Sequence, residues 1–298
     1  MKMQSKNRIK ASLSERIFYG IVAAVVALFG ICVLYPVIYI ISSSFSSPKA
    51  VMSGNVLLLP VDFTLNGYGA VLRYDNVWVG FRNSLFYMTV GTTINLVMTT
   101  LAAYPLSRKD VPFKGIIMFL FTFTMIFNAG MIPNYLLIRD LGILNTVWAM
   151  LIPGAVSVYN MIVMRTFFMT SIPEDLLEAS KLDGCTDFQY LRKVVLPLSK
   201  SILAVIVMYY AVGHWNAYFN AFLYLSDDRL YPLQLFLRDI LISNQVGAEM
   251  VDTYSENVGI EYVLKYALIV IATVPMVVIY PFVQKHFQKG VMIGAIKG

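Results

Sequence analysis

The chain has 298 residues, of which 58% are hydrophobic and only 13% charged, with a net charge of +6 and a mean hydropathy of +0.68. That balance is too apolar for a soluble domain of ordinary composition and calls for surrounding lipid. The basic residues are scattered, with no aromatic-interleaved patch, which argues for no nucleic-acid partner. Cys32 in an apolar run and Cys185 in a loop imply neither a disulfide nor a metal site.

A bilayer core is crossed by about 20 consecutive mostly apolar residues in a helix, and a charge at its centre costs about 2.5 to 3.5 kcal/mol. Charge-free runs therefore mark candidate spans. In chain order they are 17–48, 83–107, 115–138, 141–164, 201–226 and 266–284. The predicted fold class is an all-α integral membrane protein with six transmembrane helices. A basic N-terminus, 1–16, precedes a membrane domain over 17–284, and a tail, 285–298, follows it. The apolar part of the first run, 17–41, is too long for a signal-peptide core and has no small-residue cleavage site close behind it, so it is expected to stay in the mature protein.

Loops that remain in the cytoplasm carry the excess of Lys and Arg. With the N-terminus inside, most basic residues fall on the inner side, Lys2 to Arg16, Arg108 to Lys114 and Arg165 to Lys200 among them, while Asp227, Asp228, Asp252 and Glu256 lie outside. Both termini are therefore expected in the cytoplasm. The outer segments 42–82 and 227–265 are long enough for short interfacial helices and for contact with another protein. The inner link 108–114 is a basic turn broken by Pro112.

The inner segment 165–200 differs in kind. Ser171 with Glu174, close to Pro173, and Thr186 with Gln189 each have the spacing of a capping box. Asp183-Gly184 between them suits a left-handed helix end, and Leu196-Pro197 marks a stop before the fifth span. The pattern predicts a helix, a sharp turn and a second helix. Ile172, Leu176, Ala179 and Ser180 form one stripe, and Phe188, Leu191 and Val195 another, edged by Arg192 and Lys193. Patterning alone accommodates a docking surface for another protein or a hairpin lying on lipid headgroups.

The residues go further. Glu178-Ala179-Ser180, three residues, Gly184, nine residues, then Val194-x-Leu196-Pro197 resembles the "EAA" loop of ABC importer permeases, Glu-Ala-Ala, three residues, Gly, nine residues, Ile-x-Leu-Pro. Ser180 and Val194 depart from it conservatively. Asn83-Ser84-Leu85, Ala102-Ala103-Tyr104, Phe113-Lys114-Gly115 and His214-Trp215-Asn216 are similar to the maltose-type carbohydrate permeases. Gly130-Met131-Ile132-Pro133, Gly142-Ile143-Leu144-Asn145-Thr146 and the tail from Lys289 are similar to a branch for complex polysaccharide fragments.

This resemblance implies a permease subunit of an ATP-binding-cassette importer for sugars or oligosaccharides in the bacterial cytoplasmic membrane. Its implied partners are a second homologous permease, two ATPase subunits and an extracellular or periplasmic solute-binding protein. Within the 171–197 coupling loop the Glu178 to Gly184 turn would sit in an ATPase groove, and Glu178, Ala179, Ser180, Asp183, Gly184 and Pro197 are the implied coupling residues. The 243–259 loop would meet the binding protein unless it is simply solvated, and the 294–298 tail could extend to the ATPases. The dipeptide Gly-Lys is absent, so no phosphate-cradling loop is present and ATP falls to the partner ATPase subunits. No cofactor is expected.

Polar side chains within spans face a neighbouring helix or a watery path. Asn95, Asn128, Asn160, His214, Asn216 and Asn220 stand in such positions. Each Asn suits either use. His214, Trp215, Asn216 and Asn220, with Asn128, are candidates for a translocation pathway or gate, since aromatic faces beside amides suit sugar rings and hydroxyls. Trp215 and Tyr218 equally suit an interfacial aromatic belt. One rival reading is half of an ion-coupled secondary transporter, for which His214 is the only ionisable candidate inside the runs. An enzyme is not expected, because no paired carboxylates, His cluster or nucleophile elbow stands in any span or inner loop.

Overall fold

A computed structural model describes residues 12–243 and 259–295. The basic residues 1–11, most of the 243–259 loop and the last residues of the tail, 296–298, lie outside the described residues, as do the side chains of 282–295, His286 included. All regular structure among the described residues is helical. The chain divides into two compact units. One holds the described residues up to Gly69 and from 259 to Val270; the other holds those from Ala70 to 243 and from Ile271 onward.

In the first unit, α1 (Leu13–Ser44) is opened by a capping box in which Ser12 and Glu15 exchange hydrogen bonds. Apolar side chains are exposed along it until Ser42. The serines that follow satisfy the chain where the helix ends: Ser42 Oγ donates to Leu58 O at 2.6 Å, and Val61 N donates to Ser46 Oγ at 3.0 Å. A small core of Val51, Val56 and Val263 closes around α2 (Pro48–Met52) and the start of the last helix.

The second unit begins within α3 (Asn66–Arg73). Next, α4 (Asp75–Phe86) runs through a π-helical turn, Tyr87–Gly91, into α5 (Thr92–Ser107), so the second span starts earlier than the charge-free run 83–107. The third run is not one straight helix. It is divided between α6 (Lys114–Ile126) and α7 (Met131–Asp140), bent by 115° at an extended Phe127 and at Gly130 with φ +88°.

The fourth run is corrected further. It holds a single turn, α8 (Trp148–Leu151), before α9 (Val158–Ser171), because Gly142, Asn145 and Gly154 all take positive φ and Pro153 interrupts the ladder. Glycine and proline here override an apolar composition that reads as continuous.

Ser171 does not start a helix. Ile172 precedes Pro173, which forces it into an extended conformation, φ −110° and ψ 112°; α9 therefore ends there, and α10 (Asp175–Leu182) begins without a side-chain cap. After α11 (Asp187–Tyr190), a π-helical turn, Leu191–Val195, leads into α12 (Leu196–Leu198), which contains Pro197. The wide turn accommodates the missing N–H of Pro197, so the chain breaks at Ser199 rather than at the proline, bending 85° into α13 (Lys200–Trp215). Then come α14 (Tyr218–Tyr224), a 3₁₀ turn at Asp228–Leu230, α15 (Leu233–Ser243) and α16 (Ile260–Ala295).

Three helices among the described residues are long and apolar enough to cross a membrane: Leu13–Ser44, Asp75–Ser107 and Ile260–Pro281. Counting each bent pair as one span raises this to five.

Candidate functional site

Two places where helices break carry the predicted residues. The first is the elbow between α10 and α13. Its turn is a Schellman motif: Cys185 N donates to Ser180 O at 2.9 Å and Gly184 N to Lys181 O at 3.0 Å, with Gly184 at φ +73°. Thr186 Oγ1 accepts from Gln189 N at 3.3 Å while Thr186 N donates to Gln189 Oε1 at 3.1 Å, the expected capping box. Ser180, which stands where the family pattern has alanine, returns its hydroxyl to Leu176 O at 2.7 Å and so leaves no unmet donor. The elbow satisfies its backbone from its own residues.

Its apolar residues divide. Leu191 and Val195 are buried in the core with Met161, Met164 and Phe168, whereas Leu182 is 90% exposed and Phe188 66%. Glu178, Ala179, Asp183, Gly184 and Pro197 are exposed too, and Ser180 is half-buried. Isolated exposed leucines are ordinary, but these two flank the turn itself.

The elbow is pinned to the 108–114 turn by charge. Arg108, with its side chain only 10% exposed, donates to both carboxylate oxygens of Asp110 (3.1 and 2.7 Å) and to Asp187 Oδ1 (3.2 Å). Lys181 reaches Asp110 at 3.5 Å, and Lys109 pairs with Glu174. The guanidinium hydrogen bonds hold the Asp110 carboxyl down at about 2, and the same bonds raise Arg108. A groove of about 560 Å³ lies between this turn and α10, lined by Arg108, Lys109, Asp110, Glu174, Glu178 and Lys181. Sequence reasoning missed this network, whose only advance signal was the density of charge in 108–114.

The second place is the break before α9. Asn95 Nδ2 donates to Gly154 O at 2.9 Å and Ala155 O at 3.0 Å; Ser157 N donates to Tyr210 OH at 3.0 Å, and that hydroxyl meets Thr99 Oγ1 at 2.6 Å. Side chains of α5 and α13 thus satisfy backbone that the broken helix leaves unpaired. With both amide hydrogens of Asn95 engaged, its oxygen is left to face His214 Nε2 at 2.5 Å, an arrangement that suits a proton on Nε2. The imidazole lies against Gly91, where a Cβ would fall 2.4 Å from Nε2. His214 and Asn95 thus join α13 to α5 by a hydrogen bond.

The other pathway candidates are dispersed. Trp215 is buried, 1% exposed, and donates to Ala272 O at 3.0 Å. Asn216 is exposed, with one amide hydrogen given to Val212 O at 2.9 Å. Asn220 is exposed, and Asn128 accepts from Gly130 N at 2.9 Å in the bend of the third run. Among the described residues no group of three or more His, Cys, Asp or Glu could hold a metal.

A family described as "binding-protein-dependent transport system inner membrane component" matches residues 77–293. The chain is 37% identical over 287 residues to the polygalacturonan/rhamnogalacturonan transport system permease protein YtcP of Bacillus subtilis (strain 168), covering 96% of this chain and 100% of that one. It is 38% identical to protein LplC of the same organism, over 90% of this chain and 91% of that protein. Among solved structures it is similar to a chain of a bacterial ABC transporter involved in the import of the acidic polysaccharide alginate, with 38% identity and a TM-score of 0.89, covering 94% of this chain and 99% of that one.

Proposed function

We propose that this chain, which belongs to the family of binding-protein-dependent transport system inner membrane components and is a permease subunit of an ABC importer for sugars or oligosaccharides, receives the work of ATP hydrolysis through the 171–197 elbow. The self-capped turn with Leu182 and Phe188 outward is the observation that carries this reading. A short helix ended by a fixed turn transmits displacement; a floppy loop would absorb it. The exposed side chains Glu178, Ala179 and Asp183 frame the surface offered to an ATPase.

In this reading the chain crosses the bacterial cytoplasmic membrane six times, with both termini inside. Each bent pair counts as one span, and α8 with α9 makes the remaining one. It works beside a second, homologous permease, two ATPase subunits and an external solute-binding protein. The likeness to YtcP and to the alginate importer supports cargo drawn from complex polysaccharides. Of the pathway candidates, Asn220 makes no side-chain hydrogen bond among the described residues and Asn216 makes one, to Val212 O, while His214 bonds α13 to α5.

The test is purification with the partner permease and ATPase. At Gly184 no atom lies within 4 Å of an added Cβ, so Gly184→Val strains the turn at φ +73° without an internal collision. Gly184→Val and Glu178→Lys are each expected to lower ATPase recovery and abolish uptake. Wild-type ATPase yield with coupled hydrolysis after both changes would refute the assignment.

A further inference from the structure

We propose that a groove at the end of α13 is a saccharide subsite on this chain, one that reads hydroxyls and ring faces and not carboxylates; the proposal rests on the importer reading. The groove has a volume of about 270 Å³, near the lower end of ligand-pocket sizes of about 300 to 1,000 Å³, and so takes part of an oligosaccharide rather than the whole. Asn216 just past α13, Gln234 from α15, and Thr273, Met276 and Tyr280 from α16 line it, over a floor of Trp215.

Depth makes these polar groups informative. The charge-free stretch 266–284 of α16 covers about 27 Å at 1.5 Å per residue, and Ala272 and Tyr280 stand about 9 and 21 Å along it. The groove therefore lies in the middle of the apolar stretch. An amide left facing hydrocarbon is costly, and polar side chains at such depth face water or a polar partner. Gln234 is half-buried, and its amide has no hydrogen-bond partner among the described residues. Asn216 spends one hydrogen on Val212 O and keeps its oxygen free.

The site is braced rather than incidental. The indole of Trp215 is fixed by its bond to Ala272 O and by Phe81, edge-on at 5.9 Å and 83°. The start of α15, which presents Gln234, is clasped by the second span. Leu233 N donates to Ser84 Oγ at 2.9 Å, Asn83 Nδ2 donates to Arg229 O and Tyr231 O at 2.7 and 3.0 Å, and Tyr87 OH donates to Leu230 O at 2.9 Å. Gly80 lets the clasp close, since a Cβ there would fall 2.7 Å from the Phe236 ring.

The lining contains no Asp, Glu, Lys, Arg or His. A uronate carboxylate entering it would lose water without meeting a cation, whereas sugar hydroxyls find two amides and C–H ring faces find Tyr280, Met208 and Met276. The groove therefore grips the neutral parts of a saccharide, and charge is sorted elsewhere in the assembly.

The experiment is uptake by the complete importer, with its partner permease, ATPases and binding protein, in proteoliposomes. The probes are a neutral oligosaccharide and a uronate-containing one. Asn216→Ala with Gln234→Ala removes two ligand bonds and is expected to lower the saturated rate about tenfold for whichever probe the wild type carries. Gln234→Glu is expected to depress uronate uptake more than neutral uptake. Unchanged uptake in the double variant overturns the subsite, and so does loss of the partner permease on purification, which would make the groove a contact between subunits. A wild-type complex that carries neither probe refutes the importer reading itself, a separate outcome.

Discussion

The break before α9 and the elbow after α10 are both interruptions of helix, and they solve the same problem in opposite ways. At 152–157 the unpaired backbone is met by side chains brought from far along the chain, Asn95 and Tyr210, with His214 bonding Asn95 in turn. At 180–189 the backbone is met by a Schellman turn and a capping box made within a few residues. The first interruption is held in place by two other helices and cannot move without them. The second keeps its shape wherever it travels, which is the property required of a part that carries force between subunits.

The sharpest way to break this comparison is to remove Asn95. Asn95→Ala deprives Gly154 O and Ala155 O of their donor and His214 of its acceptor. Interhelical hydrogen bonds in membrane proteins average about 0.6 kcal/mol, because the unfolded chain in lipid also finds partners; three such bonds come to about 2 kcal/mol. Thermal unfolding of the purified protein in detergent should register that loss, and an unchanged midpoint would mean the break supports itself.

The contrast between the two regions also explains what the sequence discloses. Asp183-Gly184 and Thr186-x-x-Gln189 are local signals, so the turn of the elbow was legible to the residue; its two ends were not, since Pro173 set the end of α9 at Ser171 and the chain broke at Ser199 rather than at Pro197. The break at 152–157 was not legible in a scan for uncharged runs, which weighs Pro153-Gly154 no more than any other uncharged pair. Its supports were invisible for a different reason: Asn95 is 59 residues from Gly154, and no local rule joins them. Asn95 and His214 stood out as polar groups in apolar runs, yet composition alone left their use as pathway or as packing undecided. Gln234 lay in a loop segment and gave no signal at all.

A smaller effect sharpens the role of His214. Gly91→Ala drives a methyl to within 2.4 Å of the imidazole, a rigid ring that can escape only by giving up its bond to Asn95. Overpacking of this kind costs about 1 kcal/mol or somewhat more. Adding His214→Ala should restore part of the loss, since the two side chains compete for one space. Strictly additive losses in unfolding measurements would place the imidazole elsewhere.

The smallest expected effect belongs to the pins of the elbow. Asp110 is exposed, so its ion pair with Arg108 is worth at most about 1 kcal/mol after solvent screening. Its folded carboxyl is held at about 2, below the ordinary aspartate value of about 3.9. A depressed folded value means the stabilisation is complete above about pH 4 and is lost as pH falls toward 2. Unfolding profiles of wild type and Asp110→Asn should therefore run parallel from pH 7 to 4 and converge below it. An offset at neutral pH well above about 1 kcal/mol would instead show that the Lys181 and Arg108 contacts carry more of the elbow's attachment than a screened pair can, and the elbow would then be as firmly anchored as the break before α9.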